Sequence, residues 1–310
     1  MSRIAFIFPG QGSQYVGMGQ EASKTELGGK LFLEADEALG FPLSSLCFDG
    51  PEEELKQTYN TQPAVLTVSL IAAGLLNEKG IVPEIVAGHS LGEYSALAAA
   101  GALGFAEAVS LVRRRGQVMH DTTSAITGAG MAAIIGLSAE EVIAICAEAA
   151  GAGAVEAVNF NSPVQTIISG TKAGIDRAIE IAGERGAKRA MALPVSAPFH
   201  SSLMNEAAEI FGRDLEKAEI GDARMPVIAN ITARPETSAA EIRQNLLGQV
   251  NGPVRWTETV ESMLAAGIDT FIEVGPGKVL TGLMRKINRD AAAFAVETPA
   301  SIEEVAAKLA

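Results

Sequence analysis

Cysteine is nearly missing from this 310-residue chain: Cys47 and Cys146 lie far apart, with no C-x-x-C spacing. That usage reads as buried structural thiols in a reducing compartment. Histidine is scarce too, with three residues and no His/Cys cluster, so a metal site is not expected. Long hydrophobic runs are lacking. Wholly apolar runs such as Ala96 to Ala106 fall well short of the roughly 20 residues a membrane helix needs. The opening "MSRIAFIFPG" is too short in its apolar part for a signal peptide and lacks the arginines of a transit peptide. A cytoplasmic protein without a membrane segment is expected. Positive charge is also in deficit. The net charge of −13 argues against non-specific nucleic-acid binding, although a local arginine cluster could still hold an anion.

What is present is an apolar fraction of 48% with 5% aromatics, in which alanine and glycine dominate. That composition suits helices packed tightly on a sheet. Ile4 to Phe8 reads as a buried strand entering the glycine loop "PGQGSQ". Helical spacing covers 30–40 and 63–79. Ile85 to Ala87 reads as the next buried strand, and Ala96 to His120 as mostly helix, interrupted near Gly101 to Gly104. Such alternation predicts a parallel α/β sheet.

The middle of the chain follows another order. Strands are expected at Met131 to Leu137, Val155 to Phe160, Gln165 to Ser169 and Arg189 to Val195. Helices are expected from the N-cap Ser138 to about Ala150 and over Lys172 to Arg185. This β-α-β-β-α-β succession is the ferredoxin-like pattern. The expected fold is therefore α/β: a hydrolase-like parallel-sheet core, residues 1–126 and 196–310, with an inserted ferredoxin-like subdomain at 127–195. The remainder reads as a helix over 202–218, the strand Pro226 to Ile231, a helix near 257–266, the strand Thr270 to Val274 and a last helix pair.

Gly88-His89-Ser90-Leu91-Gly92 fits G-x-S-x-G, with an apolar strand before it and a helix after it. The glycines permit a tight turn that lifts Ser90 off the sheet edge. The N–H of Leu91 would then point into the same space, placed to receive a developing oxyanion. The serine needs a base. His89 adjoins it and should diverge from it, and His120 is explained by a helix end. By elimination His200, in the loop "VSAPFHSS", is the best candidate. A hydrolase would add an acid between serine and histidine. Asp121 and Asp176 are the only aspartates there, Asp176 falls on a subdomain helix, and the glutamates are mostly helical, so the third member stays open.

Ala108, Val112, Arg115 and Met119 share one helical face. An arginine on an inward apolar face wants an anion, either a structural carboxylate or the carboxylate of a ligand. Arg113 reads as a solvated charge. The loops Gly10-Gln11-Gly12 and Gly275-Pro276-Gly277 complete neither nucleotide-binding signature.

Taken in order, "FPGQGSQYVGMG", "TQPAV", "GHSLGEYSALAAAG", "RRRG", "MAAIIGL", "VNFNSP", "PVSAPFHS", "GPVRW" and "EVGPGKVL" run nearly end to end. In these the chain resembles the malonyl-CoA:acyl-carrier-protein transacylases, in their stand-alone bacterial form. The resemblance implies a ping-pong malonyl transfer from a CoA thioester to the phosphopantetheine thiol of acyl carrier protein, a transient partner, with no bound cofactor. It implies Ser90 as nucleophile, His200 as base and Arg115 as the malonyl carboxylate's partner. It places Gln249 in the site, with a backbone carbonyl there orienting the histidine, and gives the oxyanion to the N–H groups of Gln11 and Leu91. Asn161 would lie near the cleft. Phe199 would crowd an α-substituted acyl chain, which favours malonyl over methylmalonyl. Carrier docking would need a local basic patch, with Lys172, Arg185, Lys188 and Arg189 as candidates, and a monomer is expected.

Overall fold

A computed structural model describes residues 2–124, 126, 128–195 and 197–309. The expected boundary positions 127 and 196 lie outside the described residues. Ten strands run in chain order: β1 (Ile4–Phe8), β2 (Ile85–Gly88), β3 (Ala129–Ile135), β4 (Val155–Ser162), β5 (Gln165–Thr171), β6 (Arg189–Ala192), β7 (Val227–Ile228), β8 (Pro235–Glu236), β9 (Thr270–Val274) and β10 (Ala292–Val296). They form two sheets.

The larger sheet has the order β10-β9-β1-β2-β7-β8 and is parallel except for the short β8. Its strands are apolar at nearly every position because both faces are covered. Phe6 and Phe8 of β1 join one apolar cluster, while Ala5 and Ile7 join the other. The register pairs Phe8 with Gly88, so β1 and β2 end side by side. Their following loops, Pro9 onward and His89 onward, leave the sheet at one edge. Carboxyl ends of adjacent parallel strands are where α/β sheets build their sites.

The smaller sheet is antiparallel, with the order β4-β5-β3-β6 and one helix in each of the β3–β4 and β5–β6 connections. Alternation divides its residues by face. Ala132, Ile134 and Ile168 pack under its own helices, whereas Met131, Ala133 and Ile167 turn toward the larger half. The end of β4 is tied to that half by Val254, whose N–H donates to Val158 O at 2.8 Å and whose O accepts from Phe160 N at 2.9 Å.

Ser138 caps its helix in a full capping box with Glu141. Three elements differ from expectation. β6 stops at Ala192: Leu193 N still reaches Met131 O, but Pro194 has no N–H to continue the ladder. β7 holds only Val227 and Ile228, because Ala229 to Ala233 closes a turn that directs Asn230 inward. The last helices, Val279–Ile287 and Pro299–Leu309, are separated by β10, an alanine-rich segment recruited as a strand by the open edge of β9.

Candidate active site

Ser90 stands between β2 and the helix Leu91–Ala99 with φ +53 and ψ −105, a left-handed conformation that serine seldom takes. The flanking glycines make it possible. A Cβ on Gly88 would lie 1.9 Å from Gly92 C, and one on Gly92 would lie 2.1 Å from Phe8 O. The turn is therefore closed by backbone pressed on backbone, and any side chain at either glycine would open it. Asn230 completes the elbow: its Oδ1 accepts from Ser90 N at 2.7 Å and its Nδ2 donates to Gly88 O at 2.6 Å.

His200 also has a positive φ, +64, and is buried. Its Nε2 lies 2.8 Å from Ser90 Oγ. Its Nδ1 lies 2.9 Å from Gln249 O and 3.2 Å from Gly252 O. Carbonyls only accept, so the proton sits on Nδ1 and the Nε2 lone pair faces the serine. Gln249 ends the helix Ala239–Gln249, where a carbonyl without a helical partner carries the negative end of the dipole. That carbonyl occupies the place of the missing acid. Burial first, then the positive charge of Arg115, pushes the His200 pKa down to about 3. The ring is neutral at pH 7 and able to take a proton.

Arg115 enters from the helix Phe105–Ser124 and is 1% exposed. Its Nη1 donates to Gln62 Oε1 at 2.8 Å, and its Nη2 to Gln249 Oε1 at 2.9 Å and to Ser90 Oγ at 3.2 Å. It forms no ion pair among the described residues. Both its hydrogen-bonding partners from neighbouring helices, Gln62 and Gln249, are neutral amides. Arginine stays protonated even when buried, so a whole positive charge lies beside the serine with no anion against it. Leaving such a charge uncompensated is costly.

The expectation for Arg113 is corrected. It is partly buried, donates to Tyr59 O at 2.9 Å and to Asn60 Oδ1, and lies over the rings of Phe41 and Tyr59. His120 is not at a helix end either; its helix runs on to Ser124, and its ring packs edge-on against Tyr59. The proposed basic patch is partly neutralised, with Lys172 paired to Asp176 and Arg185 to Glu148.

A cavity of about 320 Å³ opens over these groups. Gln11, Leu91, Arg115, Asn161, Phe199 and His200 all line it, together with Ser90. Neither Gln11 N nor Leu91 N has an acceptor among the described residues. His89 diverges from Ser90, and its Nε2 lies 2.8 Å from Asn161 Oδ1. Gln249 acts from below the cavity rather than from its lining. Gln62, Asn230 and Glu93 were missed from sequence. Glu93 offered a signal: it is the one charge in an otherwise apolar stretch that continues from the serine turn. Among the described residues no group of three or more His, Cys, Asp or Glu is placed to hold a metal.

Comparison with known proteins agrees with this geometry. The family described as "Acyl transferase domain" matches residues 5–306. The malonyl CoA-acyl carrier protein transacylase of Bacillus subtilis is 50% identical over 305 residues, covering 98% of this chain and 96% of that protein. The crystal structure of an acyl-carrier-protein S-malonyltransferase from Burkholderia pseudomallei superposes with a TM-score of 0.95 at 46% identity, over 98% of this chain and 99% of that one. A malonyl-transacylase solved in complex with a type II PKS acyl-carrier protein matches at a TM-score of 0.95 and 42% identity, over 99% and 100% of the two chains. A buried uncompensated arginine beside a serine–histidine pair thus sits in a chain that belongs to the malonyl CoA-acyl carrier protein transacylase family of acyl transferase domains.

Proposed function

We propose that the chain transfers malonyl from malonyl-CoA to the phosphopantetheine thiol of acyl carrier protein through a malonyl-Ser90 ester. His200 Nε2 takes the proton of Ser90 as Oγ attacks the thioester carbonyl, and the N–H groups of Gln11 and Leu91 receive the oxyanion. CoA leaves as its thiol, carrying the proton held by His200. The carrier thiol then attacks the ester, His200 taking its proton and returning it to Ser90 Oγ as the acyl–oxygen bond breaks. The observation that carries this reading is Arg115, an unpaired buried guanidinium within 3.2 Å of Ser90 Oγ. The free carboxylate of a malonyl group would complete it with two parallel hydrogen bonds. Gln249 holds Arg115 and His200, Asn161 borders the entrance, and Phe199 limits branching at the acyl α-carbon.

The reading includes a hydrolase-like core, residues 1–126 and 196–310, with a ferredoxin-like subdomain at 127–195, which the order of the four antiparallel strands supports. The reading also takes the chain to act as a monomer and without a bound cofactor. The two buried free thiols support a cytoplasmic location.

Intact-mass measurement tests the transfer. Incubation with malonyl-CoA should add one malonyl group, absent in Ser90→Ala, and holo-carrier protein should remove it far faster than water. Release into water at the same rate with or without carrier would instead identify a hydrolase.

A further inference from the structure

The acid absent from His200 is present one link away. Glu93 lies in the first turn of the helix Leu91–Ala99, three residues past the serine, and is fully buried. Its Oε2 accepts from Gln249 Nε2 at 2.6 Å and from Asn230 N at 3.2 Å. Gln249 Nε2 also donates to Ser90 O at 2.9 Å, leaving Gln249 Oε1 to accept from Arg115 Nη2 at 2.9 Å. The same residue's backbone carbonyl receives Nδ1 of His200. One glutamine therefore touches the base, the guanidinium and the serine's backbone, and one carboxylate holds that glutamine.

An amide presents a donor on one side and an acceptor on the other, and the two are nearly the same shape. A flipped Gln249 would bring donor against donor at Arg115 and oxygen against oxygen at Ser90 O, and the shorter of its two acceptors is Glu93 Oε2, at 2.6 Å against 2.9 Å for Ser90 O. Glu93 Oε2 already accepts from the backbone N–H of Asn230, which cannot reverse, so it faces Gln249 as an acceptor whether or not Oε1 carries a proton. Placed behind the amide, it requires the NH2 on its own side and so presents the oxygen to the guanidinium. We propose that Glu93 is a positioning residue which sets the amide orientation of Gln249, and through it the aim of Arg115 at the acyl carboxylate. The proposal rests on the malonyl-transfer reading given above.

Its second oxygen, Oε1, has no hydrogen-bond partner among the described residues. Here one oxygen is left unmet while the other is spent on two residues of the site.

Glu93→Gln tests the role, since it keeps the shape but supplies an NH2 that can face Gln249 in either sense. Wild-type transfer of malonyl over acetyl is measured first, and its absence would overturn the transfer reading itself rather than this one. With that established, Glu93→Gln should lower the malonyl-to-acetyl ratio of kcat/KM at least tenfold, mainly through the KM for malonyl-CoA. In a Gln249→Ala background the same change should leave the ratio where Gln249→Ala alone puts it, because the contact to Asn230 reaches the serine turn and bears on both acyl groups alike. An unchanged ratio, whether or not activity and the melting midpoint fall, overturns the proposal. If Glu93→Gln does not fold, Glu93→Asp is read in its place, where withdrawal of the carboxylate from Gln249 should lower the ratio in the same direction.

Discussion

The two sheets contribute to the cavity in different ways. Among the described residues, every buried acid, arginine or histidine belongs to the half built on the six-stranded sheet: Glu93, Arg115, His200, Glu236 and Glu273. The four-stranded sheet supplies Met131, Ala133 and Ile167 as an apolar wall, with Asn159, Asn161 and Gln165 at its polar margin. One half holds charge in place and the other shapes the space. The difference follows from construction. Parallel strands that end side by side, with helix termini around them, concentrate backbone donors and dipoles at one edge. An antiparallel sheet with helices on one face has a second face to offer, and here that face is turned over the serine.

The largest effects should come from the charged half. Ser90→Ala should lower malonyl transfer by about a millionfold, the scale on which a nucleophile is lost, with the melting midpoint little changed. Arg115→Ala comes next. Removing one member of a buried charge pair costs roughly 2–5 kcal/mol. Malonyl kcat/KM should fall by about 10²–10³. Acetyl transfer should fall far less, because acetyl has no second carboxylate, and equal losses for both acyl groups would break the division between halves.

A pH measurement sharpens the same point. Burial first, the charge of Arg115 second and His89 after them hold the His200 pKa near 3 in the free enzyme. The acid limb of kcat/KM, which reports the free enzyme, should therefore lie well below 6.5. A bound malonyl carboxylate cancels the second cause, so the acid limb of kcat should lie at higher pH than that of kcat/KM. In Arg115→Ala the kcat/KM limb should move up toward 6.5. A limb that stays in place would mean that the guanidinium does not act on the base.

Stability should carry a smaller signature of the charged half. Burial, more than any other cause, raises Glu93 to about 8 and Glu236 to about 7. Both retain in the folded state a proton that the unfolded chain releases near 4.5. Their contribution is thus full below that pH and is lost as pH rises through 7 and 8. Relative to Glu236→Gln, the wild-type melting midpoint should fall between pH 5 and pH 8, as followed by calorimetry.

Much of this was legible in the residues. The G-x-S-x-G turn was readable because two glycines are required by contacts of about 2 Å, and apolar flanks identified strand and helix. Arg115 was readable because its helical face is otherwise apolar. Arg113 was not, because the rings of Phe41 and Tyr59 that cover it come from distant parts of the chain. β10 was not, because its strand state depends on the edge of β9 rather than on its own alanines. Glu93 was visible but uninterpretable: its partners Gln249 and Asn230 lie more than a hundred residues away. Local signals reveal what a residue needs, and only the fold reveals who supplies it.

The smallest effect should separate the two halves most directly. Ile167 is buried, faces the cavity from β5, and belongs to the wall that makes no hydrogen bond to the reacting groups. Ile167→Val removes one methylene there, at a stability cost of about 0.5–1.5 kcal/mol. Malonyl transfer should stay within about twofold of wild type, since no charge or donor moves. A methyl-branched malonyl thioester should gain up to about tenfold in kcat/KM, the low end of what one methylene is worth in a pocket. Phe199→Leu, from the opposite half, enlarges the space at the residue adjoining His200. It should admit the branched substrate too, but with a loss of malonyl kcat, because the ring packs beside the loop that holds the base. If Ile167→Val instead slows malonyl as much as Phe199→Leu does, the antiparallel wall is holding the machinery as well as the shape.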